Sequence, residues 1–166
     1  MYTRSKRVAL YGMFLAVALV VSYLESLLPL FVAVPGVKLG IANAVIMLVL
    51  YQMGAKQAFV LSVTRVVLAA LLFSGLFTML YSLAGALCSL VGMILLKKSK
   101  SFSPVGVSVA GGVLHNMGQI VVAMIVMEQA ALVSYLPVLL VSGVVSGIVI
   151  GILAGHLNQR LSGLKS

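Results

Sequence analysis

The sequence predicts an all-α, polytopic membrane protein with six transmembrane helices. Composition is the first reason. Of 166 residues, 63% are hydrophobic and only 8% are charged, and the mean hydropathy is +1.25. An ordinary soluble domain is about 45–50% apolar and about 25% charged. A soluble fold of this size has too little interior to hide so much apolar surface. The second reason is run length. Several apolar runs reach the ~18–20 residues that cross a bilayer core as a helix. They are continuous, unlike the ~10-residue alternating segments of a β-barrel. The third reason is where the basic residues fall, which orders the runs into a topology.

The spans are expected at about residues 8–28, 39–53, 57–74, 76–96, 105–127 and 135–157, forming one membrane domain over 1–166. The first follows Arg4, Lys6 and Arg7, as a signal peptide would. Its apolar run continues to about residue 30, past the ~7–15 residues of a signal-peptide core, so it reads as a retained span. The second follows a Pro35-Gly36 turn and is short for a ~30 Å core. Between them, residues 29–38 (PLFVAVPGVK) are themselves apolar and are expected to fold back over the outer end of the bundle. The loop KKSKSFSP, residues 97–104, is polar and ends on a proline suited to the first turn of the fifth helix. The sixth span carries Gly143, Gly147, Gly151 and Gly155 at four-residue spacing, with Ser142 and Ser146 beside them. Small residues at that spacing let membrane helices approach closely.

Lysine and arginine gather on the cytoplasmic side of membrane proteins. With the N-terminus inside, Arg4, Lys6, Arg7, Lys56, Lys97, Lys98, Lys100, Arg160 and Lys165 are all cytoplasmic. Lys38 alone is outside, and Arg65 lies within a span. Both termini are therefore expected in the cytoplasm, in a cell membrane. The same bias explains the net charge of +9 without a nucleic-acid partner.

Polar groups inside spans are expensive and mark functional candidates. Arg65 is nine residues past Lys56, about 13 Å along a helix at 1.5 Å per residue. It can serve as a ligand charge, pair helices, or snorkel to the interface. His115, Asn116 and Gln119 cluster in GGVLHNMGQ, with Gly111, Gly112 and Gly118 leaving room beside them. His115 and Gln119 share a helix face. The cluster either bonds helices together or lines a cavity. Asn43 lies near the start of the second span, after Lys38. Glu25 and Glu128 are the only acids. Glu25 is placed to pair with Lys38, while Glu128 reads as a headgroup-level residue.

Much chemistry is excluded. Two acids cannot form the Asp-rich pairs that hold Mg²⁺ on a diphosphate. No Walker motif, CxxC or HExxH occurs. His115 and His156 lie on different spans, and no metal site is expected. Cys88, the single cysteine, reads as a small packing residue.

Two motifs carry a resemblance: PGVKLG-x-AN at Pro35 to Asn43, and G-x-x-HN-x-x-Q at Gly112 to Gln119. With the length and the six spans, they make the chain resemble the Gx transporter family, also labelled heptaprenyl diphosphate synthase component I. That family is similar to the substrate-binding S components of energy-coupling factor (ECF) transporters. The resemblance implies an S-component-like bundle that binds a small molecule near the outer side, under the loop joining the first two spans. It also implies a transmembrane T component and two cytoplasmic ATPases as partners, which hydrolyse the ATP; no cofactor is expected on this chain. The small stripe that docks the T component would correspond to Gly12 and Ala16, a departure from the Ala-x-x-x-Ala pattern.

The expectation is therefore a non-catalytic subunit that captures a small metabolite or vitamin-like molecule: a carboxylate, a phosphate or a polar heterocycle. Lys38 and free amides at the start of the second span would attract the anion. Asn43, Arg65, His115, Asn116 and Gln119 would line the cavity. Phe31, Val32, Pro35 and Gly36 would belong to the lid. The alternatives are an accessory partner of a separate prenyl diphosphate synthase, or a structural subunit without a ligand.

Overall fold

A computed structural model describes residues 4–27 and 40–163. The expected lid residues Phe31, Val32, Pro35 and Gly36, together with Lys38, lie outside the described residues. Six α-helices follow in order: α1 (Arg4–Leu27), α2 (Asn43–Gln52), α3 (Ala55–Ala69), α4 (Leu76–Ser99), α5 (Pro104–Val126) and α6 (Leu136–Gly163). A π-helical turn, Ala70–Ser74, extends α3, and a 3₁₀ turn, Ala130–Tyr135, leads into α6. No strand occurs among the described residues.

Local sequence explains the breaks. Gly75, at φ +80°, separates the π turn from α4, and Gly54, at φ +104°, begins α3. Glycine takes this left-handed region without the Cβ penalty. Ser103 caps α5 by accepting the Gly106 amide at 3.2 Å, with Pro104 in the first turn where its missing N–H costs nothing.

Five of the helical segments are long and apolar enough to cross a bilayer, so the chain is a multi-pass membrane protein. The expected span at 39–53 is the exception. Its helix, α2, has ten residues, roughly 15 Å at 1.5 Å per residue, about half of the hydrocarbon core. Its sequence is apolar all round for another reason. Val45, Ile46, Met47, Leu48, Val49 and Leu50 are all buried, and α2 touches each of the other five helices. A helix enclosed by protein must be apolar on every face, whatever its length.

The far end of α2 is held by side chains. The Lys97 ammonium donates to the Leu50 carbonyl at 2.6 Å and lies 4.6 Å from the centre of the Tyr51 ring. The Gln52 amide donates to the Asn158 side-chain oxygen. The Lys97 bond occupies one of the carbonyls that a helix C-terminus leaves unpaired.

α5 packs most extensively, between α4 and α6. The α6 glycines are the reason on one side. A Cβ on Gly112 would lie 2.4 Å from the Gly143 carbonyl oxygen, and one on Gly147 would lie 2.5 Å from the Val109 Cα. On the other side Gly118 backs onto Ala84, whose carbonyl oxygen would be 2.9 Å from an added Cβ. Gly155 has open space around it and takes no part in this packing.

The burial pattern is that of a membrane protein. Leu71, Phe77 and Ile125 are about 70% exposed (69%, 72% and 69%), while Glu25, Asn116 and Gln119 are at 3%, 1% and 0%. Apolar side chains face lipid and polar ones face protein, because an unpaired polar group in hydrocarbon costs several kcal/mol. Cys88 is exposed on α4.

Candidate ligand-binding cleft

The polar groups converge where the last turns of α1, the start of α2 and the body of α3 meet α4 and α5. Ser22 and Glu25, three residues apart, share the inward face of α1 and are both buried. One Glu25 oxygen, Oε1, accepts the backbone amide of Gly40 and, at 3.3 Å, that of Ile41. The carboxylate thus ties the end of α1 to the start of α2. The amides at this turn are therefore occupied by the protein's own acid, which corrects their expected role as free anion donors. Gly40 adopts φ +76°, and a Cβ there would stand 3.0 Å from both the Asn43 amide nitrogen and the His115 ring. Glycine is needed for this close approach.

Arg65 projects from α3 into the same region. It is 6% exposed, so it does not snorkel to an interface. Its Nη1 donates to the Ser22 hydroxyl at 3.2 Å, and the Glu25 charge acts on it electrostatically. Its Nε is buried without a hydrogen-bond partner. Glu25 and Arg65, with Thr78, Ser82 and His115, line a narrow, partly open cleft of about 20 Å³, room for about one water molecule.

The expected site residues are placed unequally. Arg65 and His115 line the cleft. Asn43 is the first residue of α2 and lies behind Gly40, its side-chain nitrogen buried without a partner. Gln119 is fully buried beneath α4, where Gly85 makes room: an added Cβ would be 2.7 Å from the Gln119 Cγ. Asn116 points elsewhere, donating to the Leu139 carbonyl at 2.6 Å and the Ser142 hydroxyl at 3.1 Å on α6. The His-Asn-Gln cluster is thus divided between the cleft, the α4 contact and the α6 contact. Gly12 and Ala16 are exposed on α1, and an added Cβ at Gly12 would meet nothing within 4 Å.

Sequence reasoning missed Glu25 and Ser22 as cleft residues. A signal for them existed: a hydroxyl and an acid at i and i+3 near the end of an apolar helix. Thr78 and Ser82, one turn apart on α4, carried the same kind of signal. Among the described residues no group of three or more His, Cys, Asp or Glu side chains could hold a metal ion.

Fold and cleft define a multi-pass helical membrane protein with a buried, oppositely charged pair facing a small cleft. The chain matches the family described as heptaprenyl diphosphate synthase component I over residues 14–157, most of its length, and belongs to that family. Comparison with curated proteins and with solved structures gave no match.

Proposed function

We propose that the chain is the substrate-binding S component of an ECF-type importer. It would capture a small molecule from the outer side in the cleft between Glu25 and Arg65. The observation that supports this best is the burial of both charges in the lining of one narrow, partly open cleft. Buried ionisable groups in membrane helices are costly and are retained mostly where they serve a ligand or an ion path.

The distribution of basic residues supports an orientation for the cleft. With lysines and arginines drawn to the cytoplasm, the ends of α2, α4 and α6 and the starts of α1, α3 and α5 lie inside. The cleft then opens toward the outer half. Exposed Gly12 and Ala16 on α1 would receive the T component, and two ATPases bound to that subunit would supply the energy. No ATP site is assigned to this chain.

The family description favours a second reading, a membrane accessory of a separate prenyl diphosphate synthase. Affinity purification of the tagged chain from its native membranes separates the two. Recovery of a T component with two ATPases supports import. Recovery of a soluble prenyl synthase without them overturns import in favour of the accessory role.

A further inference from the structure

A second cavity lies at the other end of α2. It holds about 320 Å³ where α2 and α4 finish and α3 begins. Leu50, Ala55, Ile94, Lys97, Lys98 and Lys100 line it, so half of the lining is apolar and half is cationic. No acidic side chain can neutralise these lysines. The whole chain has two acids, and the residues outside the described ones contain neither. Glu25 accepts the Gly40 amide, ahead of the first turn of α2. Glu128 follows the far end of α5, about 34 Å along that helix from the loop that carries Lys100.

Membrane orientation accounts for lysines on one side of a bilayer, but it requires neither a cavity nor fixed positions. Here two of the three are fixed. The Lys97 ammonium gives one of its donors to the Leu50 carbonyl at 2.6 Å and sits 4.6 Å from the centre of the Tyr51 ring. Lys100 ends α4 at φ +56°, the left-handed position that glycine ordinarily takes at a helix C-terminus. A lysine stands there despite the Cβ penalty. Lys98 follows Leu95 by three residues and Val91 by seven, a spacing that puts all three on one helix face. Val91 and Leu95 are each more than half exposed. The cationic rim therefore continues a stripe of α4 that faces lipid.

An occupant has to match charge at one end and hydrocarbon at the other. A soluble anion would leave the apolar half of the lining and the α4 stripe uncovered. A lipid with an anionic headgroup meets both.

We propose that this cavity holds the headgroup of an anionic phospholipid, with its phosphodiester against Lys97, Lys98 and Lys100 and its acyl chains along Val91 and Leu95. The site shares no lining residue with the Glu25–Arg65 cleft. It stands whether the chain imports a solute or accompanies a synthase.

The full chain, delipidated in detergent, is titrated with dioleoyl phosphatidylglycerol, dioleoyl phosphatidylcholine or glycerophosphate. Bound molecules are counted by native mass spectrometry. Phosphatidylglycerol is expected to bind at least about tenfold more tightly than either other probe. Lys98 and Lys100 are exposed, and glycine suits the left-handed position. Lys98→Gln combined with Lys100→Gly should therefore weaken phosphatidylglycerol binding about tenfold without lowering the unfolding temperature. Arg7→Gln combined with Arg160→Gln removes as many charges outside the cavity and should leave that binding unchanged. Equal binding of phosphatidylcholine overturns the inference. Equal binding of glycerophosphate overturns it in favour of a soluble-anion site. An equal loss in both double variants overturns it too, because attraction to basic surface in general would then explain the binding.

Discussion

Glu25 performs two tasks with one carboxylate: it accepts the Gly40 and Ile41 amides and it compensates the Arg65 charge. Glu25→Ala should therefore destabilise the protein by about 3–5 kcal/mol, the cost of leaving a buried charge without its partner. Glu25→Gln, which keeps the acceptor, should lose clearly less; unfolding in detergent measures both. Asn116 behaves differently. Its bonds to Leu139 and Ser142 tie α5 to α6, so Asn116→Ala should cost about 0.6–2 kcal/mol of stability and leave ligand affinity unchanged. Reduced affinity with unaltered unfolding would contradict that assignment. Arg65 and His115 were legible as candidates because polar groups stand out in apolar runs. The role of Glu25 was not, because its partners are backbone amides fifteen and sixteen residues away. The direction of Asn116 was not legible either. A step of one residue turns a side chain by about 100°, and which neighbour lies there depends on the helix's rotation in the bundle.

At the level of helices, glycine position separates internal packing from open surface. Gly112 meets the Gly143 backbone, whereas Gly12 meets nothing within 4 Å. Gly112→Leu should force α5 and α6 apart and lower the unfolding temperature markedly. Gly12→Leu should leave the unfolding temperature of the isolated chain unchanged and, if α1 receives a T component, abolish its co-purification. Equal thermal effects of the two substitutions would contradict the division. The α6 stripe was legible as packing from its spacing alone. The length of α2 was not. Continuous apolarity looks the same in a membrane span and in a short helix enclosed by five others. Burial by neighbours, rather than lipid, decided its composition.

Across the whole molecule, a polar interior meets an apolar exterior, and the composition alone announced it. Excess apolar residues and scarce charges required a lipid-facing surface, and the few polar residues had to turn inward. What composition could not supply was convergence. Ser22, Glu25, Arg65, Thr78 and His115 come from four helices, and only the packed bundle brings them to one cleft. The central claim is that this cleft holds a small molecule through Arg65. It is tested most directly by mass spectrometry of the small molecules released from gently purified protein, comparing the unaltered chain with Arg65→Lys. Lysine keeps the charge but loses the guanidinium's fixed set of donors. The account predicts one near-stoichiometric metabolite from the unaltered chain, reduced about tenfold or more in the variant at equal folded yield. Equal amounts from both proteins, or no metabolite from either, would contradict it.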